Sequence, residues 1–192
     1  MSKNSYASRG GRKLENFIKV SPFNPEGKVV LDGGSSHGGF TQVLLLGGAR
    51  KIYAVDVGKG LLDWRLRKME NVEVMERRNL RDIKKDDFDP VPDAATVDVS
   101  FISLKKILPV IFDVVAGEVV ALVKPQFEAS YREASEGGGV IKDTGIHERV
   151  VEEVKEAVKN PGWKFVGCYP SLLEGRKGNR EYFIYYEKVR CG

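Results

Sequence analysis

Sulfur and imidazole are scarce in this chain, with two cysteines and two histidines among 192 residues. Cys168 and Cys191 have no companion at metal-ligand spacing, which leaves neither a disulfide framework nor a zinc site and predicts no bound metal. The opening residues, MSKNSYASRG, lack the apolar core of a secretory signal. The most apolar stretch, Ile107 to Val123, is interrupted by Pro109, Asp113 and Glu118. It falls short of the ~20 residues that a membrane span requires. A soluble, cytoplasmic protein without membrane attachment is the expectation. No internal repeat and no low-complexity tract appears, which excludes a solenoid.

What is present fits one filled core. Hydrophobic residues make up 42% of the chain, enough for one domain and short for two. The charge is less even: Lys3, Arg9, Arg12, Lys13 and Lys19 face Glu15 alone, so residues 1–19 carry all four net positive charges. A basic arm on a neutral body suits a polyanionic partner, although a solvated charge run reads the same way. The division expected is a basic arm with a short helix over 1–27 and a catalytic domain over 28–192, monomeric by preference.

Seven apolar strands are predicted: 29–32, 52–56, 72–76, 95–99, 119–124, 164–169 and 182–187. Between them, Leu104, Ile107, Leu108, Ile111, Phe112 and Val115 recur at helical spacing, with Pro109 kinking or delaying that helix. Ile146, Val150, Val154 and Val158 form another stripe, ended by Asn160, Pro161 and Gly162. Leu14, Phe17 and Ile18 suggest a short helix after an Arg-Gly-Gly turn. Near-continuous apolar strands alternating with helices imply a mostly parallel sheet covered on both faces. The short link PSLLEGRKGNRE before the last strand suits an antiparallel pair. Residues 128–143 are polar and glycine-rich and read as a long loop, either a lid over the ligand crevice or a plain linker. Trp64 and Trp163 read as packing residues.

The most informative stretch is VVLDGGSSHGGFTQVLLLGGARKIYAVDVG, residues 29–58. It places a glycine turn between an apolar strand and a helix beginning near Gly39. The turn matches neither GxxxxGK[ST] nor a clean GxGxxG, which argues against a phosphate-cradling loop. Its glycines permit close backbone approach, and the helix start offers free N–H groups to a carboxylate. Asp56 ends the next strand, where it can accept hydrogen bonds from ribose hydroxyls. S-adenosylmethionine and NAD both carry such a ribose.

Four further strings accompany the turn: SRGGRKLE at 8–15, TVDVSFISL at 96–104, ALVKPQFE at 121–128 and GNREYF at 178–183. Together with LDGGSSHGGFT and YAVDVG, they make the chain resemble the haemolysin-A-like branch of the FtsJ-type ribosomal RNA 2'-O-methyltransferases, from about Tyr6 to Glu187. The resemblance implies a Rossmann-like α/β methyltransferase fold with seven strands, S-adenosylmethionine as cofactor, and ribosomal RNA or ribosomal subunits as partner. It implies a Lys-Asp-Lys-Glu catalytic set at Lys13, Asp98, Lys124 and Glu181. It also implies a cofactor site from Asp32, Gly33, Gly34, Ser35, Ser36, Gly38, Gly39, Phe40, Asp56, Val57 and Asp98. Members of the family usually carry a small RNA-binding domain ahead of SRGG, and only seven residues precede Ser8. His37 stands where the family places a smaller residue and reads as a loop-lining side chain.

The chemistry of that set follows from its residue types. A ribose 2'-hydroxyl needs orientation and removal of one proton. Lys124, emerging at the carboxyl edge before Pro125, is the expected base, with Asp98 orienting it. Lys13 supplies a second positive charge or holds an RNA phosphate, and Glu181 fixes the lysines. Arg9, Arg12, Lys13, Arg176, Lys177 and Arg180 flank the site as expected RNA contacts. Arg65, Arg67, Lys68, Arg77, Arg78 and Arg81 are either a solvated face or part of an RNA track. Two other functions share these features: a noncatalytic RNA-binding or ribosome-assembly factor, and a nicotinamide-dependent oxidoreductase.

Overall fold

The computed structural model describes residues 6–189, with the side chain of Arg176 outside that description. Lys3 and Cys191 also lie outside the described residues. The strands are β1 (Val29–Gly33), β2 (Lys51–Asp56), β3 (Val72–Glu76), β4 (Ala94–Val97), β5 (Glu118–Val123), β6 (Trp163–Pro170) and β7 (Tyr182–Lys188). They form one sheet in the order β3-β2-β1-β4-β5-β7-β6. β1 to β5 pair in parallel, and β7 runs antiparallel to both β5 and β6. The expected strands therefore all form, and the reversed strand is the last one. β4 stops at Val97, so Asp98 and Val99 belong to the loop beyond its carboxyl end.

Alternate residues of each central strand feed opposite faces, which is why the strands read as continuous apolar runs. Val29 and Leu31 pack with α4 (Leu108–Val114) and α7 (Thr144–Ala157). Val30 and Ile52 pack on the other face with α1 (Arg9–Val20) and α2 (Gly39–Leu46). Trp163 closes the first face, its ring stacked 4.7 Å from that of Phe112. Phe17 of α1 joins the second face 4.7 Å from Phe183 of β7. Pro109 is the second residue of α4, where its missing N–H costs nothing. The helix begins only there, after a single 3-10 turn at Leu104–Lys106.

Three sequence expectations need correction. The Arg-Gly-Gly segment is not a turn but the first turn of α1, with Ser8 as an extended N-cap. Gly39 at the start of α2 lets the two helices approach, since a Cβ there would stand 2.7 Å from Gly11 N, and a Cβ on Gly11 would meet the Tyr6 ring at 2.6 Å. Part of the long loop is also helical, as α5 (Pro125–Glu128) and α6 (Tyr131–Glu136). Ser130 and Glu133 form a reciprocal capping box that starts α6. Trp64 opens the short helix α3 (Trp64–Arg67) and is 64% exposed, so it does not pack as expected.

Candidate active site

The sheet order reverses direction at β1, whose neighbours are β2 and β4. Ligands of such sheets bind at the carboxyl ends of the strands beside that switch, and the glycine turn stands there. Gly34 adopts φ +82°, and a Cβ on it would sit 2.5 Å from the carbonyl oxygen of Asp98. A side chain at position 34 would thus clash with the β4 loop. The N–H groups of Gly34 and Ser35 both donate to Val55 O, at 2.8 and 3.1 Å, which folds the turn back over β2. Gly38, at φ +91°, caps α2.

Asp56 is fixed by its neighbours. Its Oδ2 accepts from Ser36 N–H at 2.8 Å and its Oδ1 from Gly58 N–H at 2.7 Å. Each oxygen keeps a lone pair for a ligand hydroxyl. Asp56 and Val57 line a cavity of about 450 Å³ walled by Leu61, Leu80, Val99 and Ile102. A second cavity of about 290 Å³ adjoins it, and Gly34, Ser36, Asp98, Ser100 and Phe101 border both. Ser35, Gly39 and Phe40 line the second. Gly33 and Gly38 shape the turn from outside both cavities.

Asp32 departs from its expected place against the cofactor. It is fully buried beneath the turn, accepting from Thr41 Oγ1 at 2.6 Å and Thr96 Oγ1 at 3.2 Å. Burial pushes its carboxyl up to about 7. The folded chain therefore keeps a proton that the unfolded chain releases near pH 4, and stability falls as pH rises from about 4 to about 7. Urea denaturation across that range should show the parent losing stability relative to Asp32→Asn, by roughly 1.4 kcal/mol per unit of separation between the two states. A pH-independent difference would mean that Asp32 is charged in the fold.

The four expected catalytic residues come from four elements and meet at the smaller cavity. Lys13 projects from α1, and its Nζ donates to Glu181 Oε2 at 2.5 Å, with both side chains buried. Glu181 precedes β7 and presses on Gly175, where a Cβ would lie 2.0 Å from its Oε1. Lys124 caps α5, its Nζ 2.6 Å from Asp98 Oδ1 and donating to Ser100 Oγ at 3.1 Å. The set is thus two lysine–acid pairs facing one space. Glu181 holds Lys13 rather than both lysines.

Glu128 was missed as a site residue, although it stands within the VKPQFE string. Its carboxylate accepts from Ser103 Oγ at 2.5 Å and Leu104 N–H at 2.6 Å, and burial holds it above the usual carboxylate range. Glu128 and Lys124 sit at opposite ends of α5, so that helix grips the segment 98–104 at two points. Phe101 on that segment is 85% exposed at φ +63°. An aromatic residue in left-handed backbone costs on the order of 1 kcal/mol and persists where the surroundings impose it. Its ring lies 4.9 Å from that of Phe127 at the cavity mouth.

The expected RNA contacts divide. Arg9, Arg12, Lys177 and Arg180 are exposed, and Arg9 lines the cavity mouth. Lys13 is instead buried on Glu181. Arg176 has its backbone in the turn at Arg176–Gly178, and its side chain lies outside the description. His37 is exposed, its Nδ1 3.1 Å from Ser36 Oγ, and lines the loop as expected.

Known proteins resemble this chain in sequence and fold. A solved structure from Lactococcus lactis, assigned as a hemolysin, superposes with a TM-score of 0.92 at 42% identity, covering 97% of this chain and 90% of that one. YqxC of Bacillus subtilis strain 168 is 43% identical over 183 residues, which are 94% of this chain and 65% of that protein. The chain therefore spans slightly less than two thirds of that relative. The 16S/23S rRNA (cytidine-2'-O)-methyltransferase TlyA of Mycobacterium tuberculosis is 38% identical over 186 residues, 96% of this chain and 69% of its own. More distant solved structures, under 20% identical, share the Rossmann-like methyltransferase fold alone. Residues 6–188 match the model of the FtsJ-like methyltransferases, and the chain belongs to that family.

Proposed function

We propose that this chain transfers the methyl group of S-adenosylmethionine to ribose 2'-hydroxyls of ribosomal RNA. The observation that carries this reading is the meeting of Lys13–Glu181 and Lys124–Asp98 at one cavity that adjoins the glycine-turn cavity. Both lysines are held by acids at the edge of the ligand crevice.

The residues fit the cofactor. Gly34, which packs without a Cβ against the Asp98 carbonyl, borders both cavities. Asp56 would take the ribose hydroxyls, and Leu61, Leu80, Val99 and Ile102 would enclose the adenine. The start of α2 would face the carboxylate. Bound there, S-adenosylmethionine supplies a methyl group on a sulfonium, already activated for displacement. Membership in a methyltransferase family favours it over a nicotinamide for the same ribose acid.

The chain's own work is to place a nucleotide and accept one proton. Lys124 would take the 2'-hydroxyl proton, with the methyl carbon passing from the sulfonium sulfur, which leaves as a neutral thioether, to the ribose oxygen. Asp98 and Ser100 aim the amine and stabilise the ammonium as it forms. Lys13, held by Glu181 at the same cavity, would turn a remaining N–H donor toward the nucleotide. The exposed Phe101 ring offers a stacking face to the acceptor base. Arg9 at the cavity mouth, with the exposed Arg12, Lys177 and Arg180, would supply phosphate contacts.

The direct test is transfer of labelled methyl from S-adenosylmethionine to ribosomal RNA, followed by mapping of alkali-resistant linkages. A noncatalytic assembly factor would bind RNA and transfer nothing. The cofactor assignment has its own test in Asp56→Ala. Loss of charge-assisted hydrogen bonds worth roughly 1.5–3 kcal/mol should weaken S-adenosylhomocysteine about ten- to a hundredfold. Titration calorimetry giving parental affinity would remove Asp56 from the site.

A further inference from the structure

Across the cleft from α1 and β7, the carboxyl ends of β2 and β3 carry a second cationic surface. The loop after β2 and the turn after β3 are tied together: Arg77 N–H donates to Gly58 O at 3.1 Å and Gly60 N–H to Glu76 Oε1 at 2.7 Å. Lys59, Arg77 and Arg81 on these turns are exposed and have no ion-pair partner among the described residues. Three of the acids nearby are already engaged, while Asp82, beside Arg81, is exposed and has no ion pair among the described residues. Asp63 pairs with Arg65 at 2.7 Å, Glu73 with Lys51 at 2.9 Å, and Glu76 with Arg67. Arg77 stands at φ +54° in the turn and is exposed. Beside the turns, Trp64 is 64% exposed with Lys68 Nζ 4.8 Å from its ring centroid.

Unneutralised cations around an exposed aromatic ring have the composition of a single-strand RNA surface, where phosphates meet the charges and a base stacks on the ring. We propose that Lys59, Arg77, Arg81 and Trp64 form a second RNA contact, holding a single-stranded rRNA segment on the side of the cleft opposite Arg9 and Arg12. The inference rests on the rRNA reading above and adds to it. Val57 and Leu61 of the same loop line the cofactor cavity, so RNA lying here crosses the cofactor side before reaching Lys124.

A short fluorescein-labelled single-stranded RNA, titrated at increasing potassium chloride, tests the charges. Replacing Lys59, Arg77 and Arg81 together by glutamine should make the log–log salt slope shallower by about 2, three contacts at about 0.7 each. Lys59→Arg, Arg77→Lys and Arg81→Lys combined should keep it. S-adenosylhomocysteine affinity and the urea midpoint should stay parental in both. Trp64 gives an independent readout, since Trp163 is buried: unlabelled RNA should quench tryptophan emission in the parent and not in Trp64→Phe. A parental slope in the glutamine variant, or quenching that survives Trp64→Phe, overturns the second contact while leaving the rRNA reading intact. No salt-dependent RNA binding by the parent overturns both.

Discussion

Replacing Lys124 by arginine is expected to lower single-turnover methyl transfer by about 100- to 10,000-fold, the range of general-base contributions, while S-adenosylhomocysteine binding stays near parental. Arginine keeps the positive charge and can still reach Asp98, but a guanidinium holds its proton and cannot accept another. Lys124→Ala should fail to a similar degree. Asp98, 2.6 Å from Nζ, is placed to stabilise the charge that Nζ would gain on taking the hydroxyl proton, the kind of interaction that raises turnover. Asp98→Asn should lower the rate with little change in RNA affinity. An arginine variant transferring methyl at near-parental rate would eliminate Lys124 as base and leave it a positioning role.

The fold was legible because each central strand is buried on both faces and leaves an unbroken apolar run. Helices with clear stripes, at 104–115 and 146–158, were legible for a related reason, since one face of each meets the sheet. Legibility failed where the deciding partner is distant in sequence. Lys13 counted as part of a basic arm, yet its charge is cancelled by Glu181, 168 residues away. Trp64 carries the same side chain as Trp163, and nothing local says that one is exposed and the other stacked on Phe112. Gly10 and Gly11 signalled a turn because what they pack on is not local in pattern: a Cβ on Gly11 would meet the Tyr6 ring, and the start of α2 at Gly39 comes within 2.7 Å of Gly11 N at its own Cβ position. The Ser130–Glu133 capping box was an available local signal for α6, outweighed by the polar, glycine-rich composition around it. The glycine turn and Asp56 were readable from local pattern. The four proposed catalytic positions were not, and came from resemblance alone: an Asp or Lys at a strand end has many surface counterparts, and only tertiary structure brings these into two pairs.

Removing one member of the Lys13–Glu181 pair is expected to cost about 3 kcal/mol or more, because it leaves the other charge buried and unmatched. Glu181 is 3% exposed and Lys13 is 10% exposed at the side chain, so water can do little for either alone. Glu181→Gln and Lys13→Met should each lower the urea midpoint substantially. The paired substitution, Lys13→Met with Glu181→Leu, should recover most of that loss, since similar apolar groups in place of a buried ion pair are often neutral or stabilising. The docking of α1 does not depend on the pair. Leu14 and Phe17 hold the helix in the apolar face regardless. Recovered stability then isolates function: the double variant lacks the fixed charge beside the acceptor site and should stay deficient in methyl transfer while binding S-adenosylhomocysteine normally. Single variants as stable as the parent would show the pair to be solvated. A double variant that regained transfer would make Lys13 a structural residue and leave Lys124 and Asp98 as the reacting pair.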